Sequence, residues 1–594
     1  MIVAMKKVFL LLRQTQAQAA LEDLRTLGLV HVEHENIPSG VELSQINEEL
    51  NLIEQSRSIL STISQKQSVK SAALGQEGWM SVCRHIVDLQ KRYDQLREYS
   101  VTLNGWIDLW EDWGDFDPQE VIALQQKDVH LKFYQIPKNQ IKILPPGLIL
   151  KIISSQDALL NCLVIGSANT ELNFKKLELP KLSLSQMKNR LSEDIKIMQE
   201  IKEELASHLF YQNDLIATEE SLLSQKDFYA VLRGMGQSGE IVYLKGYIPV
   251  DTEERLVKQA KQNGWGILTL QPSEEDSVPT LIRNPVWIKL IQPVLKLLEL
   301  VPGYNELDVS PLFLIFFSLF FGMIIGDAGY GLLYLMLTFI VHKKMGTKIK
   351  DKTPIFLFYV LSSCAIIWGV ISGTFFGQGW LASLGIKPLV PSLNNINFVQ
   401  ALCFLIGAVH LTIAHSWRLA LKLPSLVAFA DLGWISIIWA AFFLAKNLLL
   451  GDQFPLFGKW LIYGGITLVV LFTSPQRNIL KCIGQGLAAI ALGLVNNFTD
   501  VVSYVRLFAV GLAGVAIADA FNVMAFGSAK AGVGAVIGGI LILIAGHGLN
   551  FILGPMSVLV HGVRLNVLEF CSHANVSWSG FAYKPFTKIK TKGG

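Results

Sequence analysis

The chain has 594 residues, too many for one simple domain, and 51% of it is hydrophobic. Its formal net charge of +3 lacks the basic excess that marks a nucleic-acid-binding protein. Six cysteines (Cys83, Cys162, Cys364, Cys403, Cys482, Cys571) show no CxxC spacing, which argues against a zinc site or a disulfide framework.

Charge is unevenly spread. Residues 1–305 hold 71 of the Asp, Glu, Lys and Arg residues and 306–594 hold only 28. The first part reads as a water-soluble domain and the second as a lipid-embedded one. At the N-terminus, Lys6 and Lys7 are followed only by Val8 to Leu12 before Arg13 intervenes. A secretory signal needs an apolar run of about 7–15 residues, so the soluble part is expected to stay in the cytoplasm.

Residues 5–34 read strand, helix, strand. Lys7–Leu12 is apolar, Gln14–Leu27 has helical spacing and stops at Gly28, and Leu29–Val32 is apolar again. The pattern returns at Ile241–Ile248, Thr252–Asn263 and Gly266–Leu270. Two small α/β lobes of ferredoxin-like βαβ type are predicted, over about 1–40 and 225–285. Between them, over about 41–225, run long amphipathic helices. Ile86, Leu89, Tyr93, Leu96, Leu103, Ile107 and Trp110 form one stripe. Leu184, Met187, Leu191, Ile195, Met198, Ile201, Leu205 and Leu209 form another. Steps of three and four predict an antiparallel coiled-coil arm, suited to gripping a partner; an ordinary helical bundle is the competing reading. No GxxxxGK[ST], HExxH, GxSxG or EF-hand loop occurs, so any ATP chemistry belongs to a partner.

Hydrophobic runs long enough to span a bilayer lie at about 311–342, 354–377, 397–416, 425–446, 460–475, 485–525 and 531–570. Basic residues gather at Lys343, Lys344, Lys348, Lys350, Lys352, Arg418, Lys422, Arg477, Lys481, Lys584, Lys588, Lys590 and Lys592. The alternate loops carry only Lys387, Lys446, Lys459 and Lys530. Thirteen against four places the first group in the cytoplasm. Residues 311–342 must then cross an even number of times. A hairpin broken at Gly326-Asp327-Ala328-Gly329-Tyr330-Gly331 meets that need, because glycine permits a tight reversal. About eight transmembrane helices result, in an all-α membrane domain with both termini cytoplasmic.

Ionisable groups in the spans are the sharpest functional signal. An arginine at mid-bilayer costs about 2.5–3.5 kcal/mol on insertion scales, so it marks a wet or protein-lined face. Arg506 and Arg564 fit that description. Asn496, Asp500, Ser503 and Arg506 lie on one predicted helix face, and the helix turns small and apolar beyond (Ala509, Gly511, Ala513, Gly514). In the last span His547, Asn550, Gly554, Ser557, His561 and Arg564 follow alternating steps of three and four. They form a polar stripe roughly 25 Å long. Glu569 lies near the cytoplasmic end of that span. Asp327 is expected to cap the hairpin turn, and His410, His415, Asp431 and Asp519 to pack or pair locally. These residues describe an ion path joined to a gripping arm. Unaided, they do not separate a channel from a transporter or a motor part.

Three stretches carry a family resemblance. Ser503-Tyr504-Val505-Arg506-Leu507-Phe508-Ala509-Val510-Gly511-Leu512-Ala513 resembles the SYxRLxAxxLA helix of subunit a, or I, of V/A-type rotary ATPases. Phe321-Gly322-Met323-Ile324-Ile325-Gly326-Asp327-Ala328-Gly329-Tyr330-Gly331-Leu332 resembles that family's FGMxxGDxGYG hairpin. His561-Gly562-Val563-Arg564-Leu565 with Glu569 resembles its final helix, and Pro279-Thr280-Leu281 with Asn284-Pro285 the entry to its membrane domain. The resemblance covers essentially the whole chain. It departs at Gly554-Pro555, where eukaryotic relatives carry an acid.

The resemblance implies a static, non-catalytic subunit with two long tilted C-terminal helices. Two aqueous half-channels would carry H⁺ or Na⁺, without a cofactor, to a rotor ring of small subunits bearing an essential carboxylate. Arg506, with Arg564, would face that carboxylate. Peripheral stalks would hold the cytoplasmic arm, and the central stalk and ATP-hydrolysing head would act indirectly. The setting would be a cell membrane. A secondary ion-coupled transporter is the main rival, but only one glycine-rich break occurs where inverted repeats need a pair. A purely structural anchor is the other, and it has no use for Arg506 or the stripe.

Overall fold

The computed structural model describes residues 1–588 except 64–77, 144–147, 157, 167–171, 348, 350, 378–387, 477 and 529–532. Seven of the residues used to orient the chain (Lys348, Lys350, Lys387, Arg477, Lys530, Lys590, Lys592) lie outside the described residues. The chain divides into two compact units. One comprises Phe9–Lys245, Lys261–Ile267 and Phe586–Gly594, and the other Met1–Val8, Gly246–Ala260 and Leu268–Pro585.

The N-terminal elements are β1 (Met5–Arg13), α1 (Ala17–Leu27), β2 (His31–Glu33), α2 (Val41–Ser61), α3 (Trp79–Trp110) and α4 (Pro118–Gln125). Then come β3 (His130–Pro137), β4 (Ile149–Gln156), β5 (Leu159–Gly166), β6 (Lys175–Leu177), α5 (Leu184–Ser207) and α6 (Gln212–Gly234). They are followed by β7 (Gly236–Ser238), β8 (Ile241–Pro249), α7 (Glu253–Asn263) and β9 (Gly266–Leu270). α1 stops where Gly28 takes φ 62°, and α5 starts on a capping box between Ser183 and Gln186.

Two expectations need correction. The strands of the two predicted lobes share one sheet, in the order β2-β8-β1-β9 with β7 on β8, instead of forming separate lobes. The segment assigned wholly to the arm also contains a second, antiparallel sheet, β4-β5-β3-β6. Its core is Tyr134, Ile136, Cys162 and Val164. The helix pair itself is antiparallel, since α3 meets α5 through His85 with Glu204 and Glu111 with Lys188. At one end α2 and α6 join them, and Ile53, Ile86, Leu205 and Leu215 close a four-helix core. At the other end Trp110 packs on Phe133 of the second sheet. Within α5 the inward position is Asp194, paired to Arg190 at 3.2 Å, while the predicted stripe member Ile195 is 54% exposed.

From Val286 onward the elements are helical: α8 (Val286–Lys289), α9 (Gln292–Leu297), α10 (Ser310–Ile325), α11 (Ala328–Met345), α12 (Thr353–Ser372) and α13 (Ile396–Lys422). α14 (Ala428–Leu450), α15 (Leu456–Phe472), α16 (Ile479–Ser503), α17 (Val505–Ser528), α18 (Val533–Ser557) and α19 (Cys571–Ala574) complete the series. Among the described residues, five helices are long and apolar enough to cross a membrane, and α10 and α15 are shorter apolar helices. The two C-terminal ones run Ile479–Phe526 and Val536–Ala574, about 72 and 58 Å of helix, well beyond a hydrocarbon layer of about 30 Å.

α10 is apolar on every side and is the centre of this unit. Phe316 stacks on His410 of α13, Gly322 meets Cys364 of α12, and Met323 meets Gly511 of α17. The chain reverses after α10. Gly322 lies beside Cys364 and Asp327 beside Gly369, a parallel course along α12. Gly331 then lies beside Ile366 and His342 beside Tyr359, the antiparallel return. Gly326 (φ 64°) ends α10, and Asp327 caps α11.

Candidate functional site

The helix loosens at Tyr504, between α16 and α17, two residues before Arg506. Tyr504 is wholly buried. Its hydroxyl lies 2.8 Å from His410 Nδ1, and its ring fills the space left by Gly407. With that anchor set, Arg506 Nε donates to the Ser503 carbonyl at 3.0 Å and Nη2 donates to Glu569 Oε1. The Ser503 hydroxyl donates to the same oxygen at 3.3 Å. Arg564 Nε lies 3.7 Å from it. Glu569 is only 5% exposed and Arg564 is 56% exposed, so one buried carboxylate ties an inner guanidinium to an outer one. Two atoms of this centre, Arg506 Nη1 and Glu569 Oε2, are shielded from solvent and have no hydrogen-bond partner. Buried polar atoms are rarely left so.

Arg564 and Glu569 are five residues apart, which an α-helix would put on different sides. After α18 the helix widens into π turns at Val558–Gly562 and Leu565–Phe570, where the repeat is i to i+5. The widening brings Glu569 beside Arg564. It also breaks the predicted stripe, which assumed a uniform α-helix. His547 and Asn550 belong to a separate cluster, Ser557 lines a cavity, His561 is half-buried and Arg564 faces outward.

The separate cluster is built on the glycine-rich turn. Asp327 accepts hydrogen bonds from the Gly329, Tyr330 and Gly377 amides at 2.8, 3.1 and 3.0 Å. A Cβ at Gly331 would stand 2.8 Å from the Ile366 nitrogen, so only glycine lets α11 approach α12 there. The turn thereby presents the Tyr330 hydroxyl to His547 Nδ1 at 2.7 Å, and Asn550 donates to it at 3.1 Å. His547 Nε2 lies 3.0 Å from Asn522 Oδ1, and Asn550 also donates to the Gly514 carbonyl at 2.8 Å. A cavity of about 120 Å³ lies alongside, lined by Tyr330, Tyr334, Gly514, Asn550, Gly554 and Ser557.

Sequence reasoning missed a third group. Asp431 accepts at 3.1 Å from His415 Nδ1, whose Nε2 lies 2.9 Å from His573 Nδ1. His573 Nε2 lies 3.0 Å from Asp500 Oδ2. Asp431 and Asp500 therefore join in one array with His415, which was expected to pack or hydrogen-bond locally. The available signal for His573 was its place four residues after Glu569, on the same helical face. His410 does pack as expected, between Phe316 and Phe570 at ring-centroid distances of 3.7 and 4.3 Å. Asn496 points outward, away from the group it was expected to join. Among the described residues one group has metal-ligand spacing, His85, Glu204 and His208 on the helix pair. His85 Nε2 already bonds Glu204 there at 2.8 Å.

No family model matches the chain. It is 31% identical over 617 residues to the V-type ATP synthase subunit I of Borreliella burgdorferi, covering 99% of this chain and 100% of that protein. The chain belongs to the V-type/A-type ATP synthase subunit I family. Subunit I 1 of Treponema pallidum is 29% identical, over 99% of this chain and 100% of that one. The A-type subunit I of Methanocaldococcus jannaschii is 26% identical, over 63% of this chain and 59% of that one. A solved cytoplasmic N-terminal domain of a subunit I covers 45% of this chain at 16% identity and a TM-score of 0.23. As a member of the subunit I family, the chain is a non-catalytic, multi-pass membrane subunit of a rotary ATPase complex.

Proposed function

We propose that the chain forms the static side of the ion path, with Arg506 as the fixed cation that a rotor-ring carboxylate meets. The observation that carries this reading is a guanidinium that stays 22% exposed in the membrane unit while Glu569 holds it through Nη2. A guanidinium fixed by Glu569 on its inner side leaves its exposed part to face a second carboxylate. Beside it, α17 exposes Ala509, Leu512, Ala513, Ala516, Ala520 and Val523 at steps of one, three and four. Such a small-residue face lets another helix come close.

Arg506 favours the ionised form of the arriving carboxylate, so the ion leaves before that carboxylate passes. Two polar groups serve as the half-channels: Tyr330, His547, Asn550 and Ser557 on one side, and Asp500 with its histidines on the other. Eight membrane crossings, cytoplasmic termini, a coiled-coil arm held by peripheral stalks and a cell-membrane setting complete the account, with H⁺ or Na⁺ as the ion. The two C-terminal helices exceed the bilayer thickness and so lie tilted.

Cysteine cross-linking in the assembled complex tests the interface. Leu512→Cys and Ala516→Cys should cross-link to a cysteine beside the ring carboxylate, while Trp460→Cys on α15 should not. Equal yields from α15 would overturn the assignment of α17 as the ring-facing helix.

A further inference from the structure

We propose that Asp431, His415, His573 and Asp500 form a proton-holding relay beside Arg506, and that the transported ion is therefore H⁺. The inference rests on the ion-path reading above and goes on to name the ion.

Hydrogen-bond directions follow from the geometry. Asp431 lies against two cations, Lys422 at 2.6 Å and Arg418 at 3.4 Å, which keep it an acceptor. It therefore takes the Nδ1 proton of His415. The contact of 2.9 Å between His415 Nε2 and His573 Nδ1 has room for one proton between two ring nitrogens. His573 Nε2 and Asp500 share another, across 3.0 Å. The array then has one mobile proton and three places for it. With Asp500 protonated, both rings are neutral. Moving that proton breaks the Asp500 O–H bond and forms Nε2–H on His573, leaving an imidazolium facing a carboxylate. A second hop takes the Nδ1 proton of His573 to His415 Nε2, and His573 keeps Nε2–H. No redox change or co-reactant is involved.

Burial fits this use. Asp431, His415 and His573 are 1%, 3% and 7% exposed. Asp500 is 25% exposed at the open end, and its backbone carbonyl accepts from Ser503, whose hydroxyl also reaches Glu569. The other groups facing the array are Arg418, which also donates to the His573 carbonyl at 3.0 Å, Lys422, His410, Glu569 and Arg506. Na⁺ is a hard cation that prefers several oxygen ligands. Two ring nitrogens already in hydrogen-bond contact leave it neither space nor ligands, whereas a proton needs only this contact.

The test uses the complete complex in vesicles, driven by ATP, with a pH-sensitive dye and radioactive Na⁺ read in parallel. Acidification in Na⁺-free buffer without Na⁺ uptake is expected. His573→Gln retains hydrogen-bonding ends but does not relay protons near neutral pH. It should lower proton uptake at least tenfold and flatten its pH profile, with normal complex assembly; Asp500→Asn should behave alike. Na⁺ uptake insensitive to a protonophore would overturn the proposal. So would an unchanged rate and pH profile in both variants, which would make the array purely structural. Arg506→Ala separates the two levels. If it abolishes transport while His573→Gln does not, the ion path stands and the relay falls. If it leaves transport intact, the ion-path reading itself fails.

Discussion

Replacing Glu569 by glutamine removes a charge while keeping the shape of the side chain. In the wild type one carboxylate holds Arg506 and stands 3.7 Å from Arg564. Arg564 is 56% exposed, so water screens its share, which is worth less than about 1 kcal/mol. Arg506 is 22% exposed and Glu569 5%, so their pair behaves as a largely buried one. Uncoupling such a pair costs about 3–5 kcal/mol. At 1.36 kcal/mol per tenfold, the lower figure is roughly two powers of ten. Arg506 would then turn its whole donor set to the ring carboxylate and hold it too tightly, slowing each step. ATP-driven ion uptake by vesicles with the Glu569→Gln complex should fall at least tenfold at normal assembly. Uptake within about twofold of wild type would refute the idea that Glu569 balances Arg506.

Asp327→Ala leaves three buried amides without an acceptor and should lower stability by about 2 kcal/mol, the upper end of a helix-cap loss. Asp327→Asn should recover most of it, read as the thermal midpoint of the solubilised chain. Gly511→Val would place Cβ 2.7 Å from the Met323 carbonyl, forcing α17 off α10, with an expected loss of about 1–3 kcal/mol in the same assay. In the N-terminal part, the hydrogen bond from Lys7 pulls the Asp276 carboxyl down to about 2. A depressed carboxylate stabilises above its unfolded value, near 3.8, and loses that contribution as pH falls toward 2. The wild type should therefore exceed Asp276→Asn in thermal midpoint at pH 5, and the difference should vanish by pH 2.

The hairpin was legible because its determinants are local: glycines where a Cβ would strike backbone, and an aspartate placed to cap. The two apolar stripes marked α3 and α5 as partners, but not that α2 and α6 share their core or that Asp194 takes the inward place beside an exposed Ile195. The single sheet joining β1 with β8 and β9 was not legible, because strand pairing over more than two hundred residues leaves no periodic trace. The sheet β3–β6 was absorbed into the arm because it lies between two strong helical stripes that were read as one continuous helical segment. At the site, Arg506 and Arg564 stood out as charges in apolar sequence. Their meeting at Glu569 did not, since a stripe drawn at 3.6 residues per turn places that carboxylate on another face and only the π turns bring it round. The partners His573 and Asp500, 73 residues apart, meet only through tertiary packing.

The most direct measurement is ATP-driven ion uptake into vesicles by the assembled complex, wild type against Arg506→Ala. Arg506 as the rotor-facing cation predicts that uptake is lost while assembly and ring association stay normal. Undiminished, coupled uptake would contradict the account and move the essential charge to Arg564 or away from this chain.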